Sequence, residues 1–490
     1  MSSRRAFKTD ESFLEKVSQG AAGTKRVYEN LTKQCHSPIE LERGSMGFKI
    51  WKQRIKIKRV RVPDLLCVNC GRRIESRAKT DLQVSMSHST SDEKRGWDFG
   101  LLDNDYVAFV KACKTGERPI DWAINELVQY VSVKDMREAR LNDQVTEVKP
   151  KGATEGFEAR LVWSSAIAKE EGLVLSIDAT CLKYRKKGNG NMVRLSLKKG
   201  GHTLKPLVKV GDPAKKDQIL ASVVPVTNTI PCKEDLTKDY YIGLMKSTSH
   251  ADKYVAAKAL AFYPSKETEA TLLERMKDER EHIYVRLECA CDLLKMDNKE
   301  SLQFFENMLK NEYLTNQLEC VIALSEVDKE ESIKLLIQTL LDPLKDTDIR
   351  AGAAWSLGEL KSKNAINALV EAFNAEDKDI RIEAARAMVK LNEKFTKDSV
   401  KLLSTTNSDQ QKAGLSWSLS KSSKFTVHDL LEVMNNDDTR KWVAWIVGTQ
   451  NEKDFIAQIE ELKNKDKEVY FAVTVLWKVL SSWVNRLETY

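Results

Sequence analysis

From about residue 250 onward the chain resembles itself at a nearly fixed interval, and this periodicity restricts the fold more than any other feature. The segments VRLECACDLL (285–294), IRAGAAWSL (349–357), IRIEAARAM (380–388) and TRKWVAWIV (439–447) align on one slot. Arg286, Arg350, Arg381 and Arg440 occupy that slot, which also falls at Ala256, Gln317, Lys412 and Tyr470; the intervals are 30, 31, 33, 31, 31, 28 and 30 residues. Such a period holds two helices of about 10–12 residues and two short turns. Asp346 and Asp348, Asp377 and Asp379, and Asp437 and Asp438 stand just before the slot. They are suited to cap the next helix and to favour its positive end. In IRIEAARAMVKL apolar residues recur at i, i+4 and i+8, one buried stripe per helix. One helix pair cannot bury that stripe alone, so about eight units must stack over residues 241–490. Trp355, Trp417 and Trp445 each lie five residues past the slot and read as inter-repeat core rather than as a binding platform.

This pattern resembles HEAT repeats, in the short variant similar to the HEAT-like repeats of phycobilisome lyases. The resemblance implies an all-α solenoid. It leaves function open, because such arrays bind proteins, nucleic acids or other partners.

Charge separates the array from what precedes it. Residues 1–150 carry 28 basic and 21 acidic side chains, residues 151–240 carry 16 and 10, and the remainder 35 and 41. The front half is therefore net basic and the array net acidic, which points to a polyanion such as DNA or RNA for the first and a protein partner for the second. The N-terminus has no apolar run, and no stretch approaches the roughly 18 apolar residues of a membrane span, so no membrane partner is expected. Nine irregularly spaced cysteines read as reduced thiols in a cytoplasmic protein.

Within residues 1–150 a helix is expected over 10–34. Residues 49–62 alternate apolar and basic side chains in strand fashion, with seven basic groups and no acid. Lys49, Lys52, Arg54, Lys56, Lys58, Arg59 and Arg61 are candidate phosphate contacts, or else a solvated edge. The strand ends in Val62-Pro63-Asp64. After a CxxCG turn comes Arg73-Ile74-Glu75-Ser76-Arg77-Ala78-Lys79, with Glu75, Arg77 and Lys79 on one face.

A helix, a strand ending in Pro-Asp and a strand carrying Glu and Lys resemble the PD-(D/E)xK nuclease superfamily. The resemblance implies a restriction-endonuclease-like α/β domain over residues 1–150 and a hydrolase that cuts nucleic acid with Mg²⁺ or Mn²⁺. Asp64 and Glu75 would be metal ligands and Lys79 the group that activates water. Arg77 occupies the position where the family has its Lys, and an arginine is a poor proton acceptor. A further acid that the family places on its first helix, after a G-x-x-G stretch, would be Glu29, Glu40 or Glu42. The alternative is structural, with Asp64 capping a turn and Glu75 pairing with Lys79. On that reading the whole chain is a non-catalytic HEAT adaptor that binds proteins and tethers nucleic acid.

Cys67-Val68-Asn69-Cys70-Gly71 looks like one zinc knuckle, and Cys35, His36, Cys67 and Cys70 could complete a four-ligand site. A lone CxxC is equally compatible with a tight hairpin carrying two free thiols, which is the preferred reading. PIDWAINELVQYV (119–131) reads as an amphipathic helix and DYVAFVKA as a core strand.

Residues 151–240 read as a small β-rich module. LKPLVKVGDPAKKDQILASVV is similar to barrel-sandwich hybrid modules, but it lacks their Met-Lys-Met turn, so neither biotin nor lipoate is expected. Arg185, Lys186 and Lys187 lie in a basic loop that could clamp a nucleic-acid backbone or be an ordinary hairpin.

Overall fold

The computed structural model describes residues 10–43, 60–116, 120–148, 159–232, 235–422, 429–430, 433, 437–449 and 467. Among these, contacts divide the chain into a unit running through Thr268 and a second unit from Glu269 onward. The expected boundaries near residues 150 and 240 both fall inside the first unit.

The front unit opens with α1 (Asp10–Lys33) and then β1 (Pro38–Glu40), β2 (Leu65–Cys67) and β3 (Arg73–Lys79). There follow β4 (Ser85–His88), β5 (Tyr106–Lys114), β6 (Trp122–Ser132) and α2 (Val133–Leu141). One sheet has the order β1-β2-β3-β5-β6, antiparallel throughout except that β3 runs parallel to β5. The segment expected to be helical at 119–131 is thus largely strand. Its Trp, Ile, Val and Tyr residues pair with β5, and that ladder overrides the helical spacing. Residues 60–64 are not strand, so the strand expected to end in Pro63-Asp64 does not reach them; Pro63 has no N–H to give a ladder.

The sheet is covered on both faces. Ile74, Ala108, Val110, Val128 and Tyr130 pack under Val27 and Leu31 of α1. Gly23 lets the helix come down on β3, since a Cβ there would sit 2.7 Å from that of Ala78. That close approach, not a ligand, accounts for the second glycine of the G-x-x-G stretch. Because side chains alternate along a strand, Val107 and Phe109 face the other way. They share a core with Trp97, Trp163, Leu182, Tyr184 and Leu220. This core joins the front sheet to the β-rich segment: β7 (Val145–Val148), β8 (Ala159–Trp163), β9 (Ser165–Ile167), β10 (Gly172–Ile177), β11 (Cys181–Lys186), β12 (Met192–Ser196) and β13 (Ile219–Ser222). β4 pairs with β8 and β13 with β9, while β10, β11 and β12 form an antiparallel meander. Two helices close the unit, α3 (Lys238–Leu244) and α4 (His250–Leu260). The Tyr241 hydroxyl donates to the Val68 carbonyl at 2.6 Å and that of Tyr254 to Leu41 at 2.8 Å.

The remaining helices are α5 (Lys266–Lys277), which spans the boundary, α6 (Ile283–Lys295), α7 (Lys299–Leu309), α8 (Leu314–Leu324), α9 (Glu330–Leu341), α10 (Thr347–Leu360), α11 (Ile366–Glu371), α12 (Lys378–Thr405), α13 (Asp409–Ser420) and α14 (Asp437–Gly448). Phe395 (φ −122°, ψ 33°) breaks α12 into two helices. The slot residue is the fourth residue of α6, α8, α10, α12, α13 and α14. It has a mechanical role. Arg286 Nε donates to the Met276 carbonyl and Arg350 Nε to that of Leu340, both at 2.9 Å, each reaching back to the last turn of the preceding helix. Gln317 and Arg381 likewise bond the Asn311 and Ala375 carbonyls, at 2.6 Å each. Such carbonyls lack intrahelical donors, and a cation suits that end of the dipole. Asp346 and Asp377 act as N-caps, accepting from the N–H two residues on at 2.8 Å. Ala256 differs: it is the seventh residue of α4 and belongs to the front unit. Tyr470 lies outside the described residues. Trp355 is buried, Trp417 half-buried and Trp445 39% exposed, so the shared position does not confer a shared degree of burial. Among the described residues no helix is long and apolar enough to cross a membrane.

Candidate functional site

The β2–β3 hairpin carries two groups of candidate side chains, one at its turn and one towards its other end. Its register pairs Leu65 with Ile74 and Leu66 with Arg73. Asp64 stands just before β2, and Glu75 follows Ile74 in β3. Asp64 Oδ2 accepts the Ser76 N–H at 2.7 Å, so the carboxylate takes up a strand donor. Burial pushes the Asp64 carboxyl well up; the charges of Glu75 and Glu42 add to this, against Arg77 and the Ser76 N–H. Of the three acids left open by the sequence, Glu42 acts electrostatically on both Asp64 and Arg77. Glu29 instead pairs with Arg26 along α1, at 3.3 Å, and Glu40 lies in β1.

Glu75 and Lys79 do not pair. The Arg77 guanidinium meets Glu75 Oε1 at 2.5 Å. Lys79 stands two residues further along the same face, where Glu75, Arg77 and Lys79 flank Val107, Phe109 and Lys111 of β5. Burial, with the charges of Arg77 and Arg160, brings the Lys79 amine down to about 8. At the root of β3, Arg73 and Asp105 form a buried bidentate pair of 2.9 and 2.6 Å. Nothing in the sequence singled out Arg73, Asp105 or Arg160; a lone Asp ahead of an apolar strand carries no local signal.

On the turn side, His36, Cys67, Cys70 and Cys232 converge, with their ligand atoms all within 4.8 Å of one another. Three of the four are those the CxxC suggested. Cys35 is outside the group and exposed, and Cys232 supplies the fourth position. The reason is α1's C-terminus. Cys35 has φ 63°, its N–H bonds the Thr32 carbonyl at 3.1 Å, and the His36 N–H bonds that of Leu31 at 3.1 Å. This is a Schellman cap, in which the left-handed residue points outward and the next one turns in. Hydrogen bonds from Cys70 and His36 hold the Cys67 thiol far below the usual thiol range, whereas its bond to Cys67, together with burial, raises that of Cys70.

The expected nucleic-acid contacts divide three ways. Lys49, Lys52, Arg54, Lys56, Lys58 and Arg59 lie outside the described residues. Arg61 and Arg185 are exposed. Lys186 and Lys187 meet Glu170 and Glu171 at 2.5 and 3.9 Å, at the end of an antiparallel hairpin rather than in a free loop. His88 faces the Trp97 N–H at 3.3 Å and Arg140 at 3.0 Å.

The HEAT-repeat family matches residues 333–420. This stretch covers most of α9 through the whole of α13. No curated protein matches the chain. Solved structures similar to it include the complex of CpcE and CpcF of phycocyanin lyase from Nostoc sp. PCC7120, at 15% identity and a TM-score of 0.26, covering 52% of this chain and 99% of that one. An engineered protein aligns at 17% identity and a TM-score of 0.26, covering 45% of this chain and 66% of that one. Human deoxyhypusine hydroxylase, in complex with glycerol, aligns at 15% identity and a TM-score of 0.18, covering 49% and 84%. Likenesses at these scores carry no weight for fold or function.

Proposed function

We propose that the protein is a two-part nucleic-acid enzyme: a divalent-metal-dependent phosphodiesterase in the front unit, with a HEAT-like array that docks a protein partner. The observation that supports this reading is that the Asp64 and Glu75 carboxylates act on each other electrostatically, with Lys79 further along the Glu75 face of β3. Crowded carboxylates raise each other's proton affinity, and a hard cation relieves that crowding. The donor set therefore suits Mg²⁺ or Mn²⁺ held by Asp64 and Glu75, with Glu42 adding negative charge. A bound ion would supply positive charge for the phosphodiester and a more acidic water. Lys79, with its amine near 8, can take a proton from that water close to neutral pH. Arg77 can donate to a non-bridging phosphate oxygen if it leaves Glu75.

Mg²⁺-dependent cleavage of plasmid DNA or of RNA, abolished by Asp64→Ala, tests the reading. The ion pair between Arg77 and Glu75 favours a second one, in which the arginine fills the cation's place and the chain is a non-catalytic adaptor. Retained nucleic-acid binding without cleavage in any divalent metal would select it. HEAT repeats at 333–420 support protein contact under either reading.

A further inference from the structure

We propose that His36, Cys67, Cys70 and Cys232 bind one Zn²⁺ as a closed structural site, distinct from the carboxylate face. Two edges of the cluster match those of a tetrahedral site, and all its ligand atoms lie within 4.8 Å of one another. With Zn–S about 2.3 Å and Zn–N about 2.0–2.1 Å, tetrahedral edges are about 3.8 Å between sulfurs and about 3.6 Å between sulfur and nitrogen. Cys67 Sγ lies 3.9 Å from Cys232 Sγ, and Cys70 Sγ lies 3.5 Å from His36 Nδ1. The sulfur separation is far beyond the roughly 2.05 Å of a disulfide, so the thiols are available as ligands.

The surroundings are those of a metal-thiolate centre. His36 Nε2 lies 2.8 Å from the Ile230 carbonyl. A proton on Nε2 bonds that carbonyl and leaves the Nδ1 lone pair facing Cys70, the tautomer a ligating imidazole needs. Gly71 (φ +68°) permits the knuckle, and a Cβ there would sit 2.6 Å from Leu236 Cδ1. Three thiolates and one imidazole are borderline-soft donors, which select Zn²⁺ over Mg²⁺ or Ca²⁺. All four coordination places are filled by protein, so the ion would be structural rather than catalytic.

The ligands come from three separate stretches: the cap of α1, the β2–β3 turn, and the segment following Ile230, whose side chain is buried in the α1-side core. One ion would therefore staple the N-terminal helix, the hairpin and the exit of the β-rich segment. Asp64 and Glu75 sit on the same hairpin, so the staple would also fix their register.

The test uses the full chain purified under reducing conditions. We expect one zinc per chain by mass spectrometry. Replacement with Co²⁺ should give the intense visible bands and sulfur-to-metal charge transfer of tetrahedral cobalt thiolate. Cys232→Ser should weaken zinc at least about 100-fold in chelator competition, since even outer-shell changes cost 10–100-fold. Cys35→Ser should leave affinity unchanged. Cys232→His keeps a ligand and should retain zinc with an altered cobalt spectrum, which decides the matter if Cys232→Ser does not fold. Zinc that neither co-purifies nor rebinds, a pale octahedral cobalt spectrum, loss of zinc with Cys35→Ser but not Cys232→Ser, or an unchanged spectrum in Cys232→His would each overturn the assignment.

Discussion

The front unit and the array use charged side chains in opposite ways. In the array they serve local geometry. Arg286 and Arg350 each tie off a helix that ended about ten residues earlier, and Asp346 and Asp377 each cap the helix they precede. In the front unit they are brought together from afar. Arg73 meets Asp105, Glu42 acts on Asp64, and His36 meets Cys232 across 196 positions of sequence. The first arrangement can be repeated with small changes and lose little. The second fails as a whole when one member is removed. Chemistry is therefore expected where the charges are non-local, and docking where they are periodic.

Breaking the buried pair is the severest test of that contrast. Asp105→Ala leaves the Arg73 guanidinium buried without its carboxylate, and should cost about 3–5 kcal/mol. Denaturant unfolding of the front unit should shift as one transition, while helices of the array keep their hydrogen-exchange protection. A loss spread equally over both units would contradict the division.

Next in size is the loss of chemistry. Lys79→Met should lower the cleavage rate about 10²-fold, as expected for a general base. It should also remove a rise in rate with pH whose midpoint lies near 8. The sign follows from the amine: it is charged and inactive as a base below that value, neutral and active above it. Because the folded-state value lies below the ordinary lysine one, the unfolded chain holds more protons between them, so wild-type stability should increase as pH rises through that window. A rate profile unaltered by Lys79→Met would remove the lysine from the proposed site.

A smaller effect is expected in the array. Arg350→Ala uncovers the Leu340 carbonyl and should cost about 1.5–2 kcal/mol, the lower part of the range for a bond from a charged donor, since Arg350 is partly exposed. Faster exchange confined to α9, α10 and their neighbours would match nearest-neighbour stacking, whereas a global change would not.

The smallest prediction concerns Cys35. A left-handed residue with a Cβ costs roughly 1 kcal/mol or more relative to glycine. Cys35→Gly should therefore raise front-unit stability by about 1 kcal/mol in denaturant titration. Destabilisation would mean that the thiol has a partner.

Much of the array was legible in the chain itself. Helix period, cap residues and the slot all act within about ten residues, so their signal is written in adjacent letters. The first unit is the exception: α4 was absorbed by the front unit through the Tyr254 hydroxyl, a contact that no period records. In the front unit, α1 followed from its helical apolar stripe, and the placement of Glu75, Arg77 and Lys79 on one face from alternation. The strand at Trp122–Ser132 did not, because pairing with β5 decided its conformation.

Residue type and spacing alone set out the repeat array, the charge division and the candidate chemistry of Asp64, Glu75 and Lys79. Each depends only on residue type and spacing along the chain. Tertiary structure alone decided which acid acts on Asp64, that Arg77 and not Lys79 pairs with Glu75, and that Cys232 rather than Cys35 completes the thiol cluster. Those outcomes depend on where folded segments meet and on which charges lose water there, and neither is set by distance along the chain.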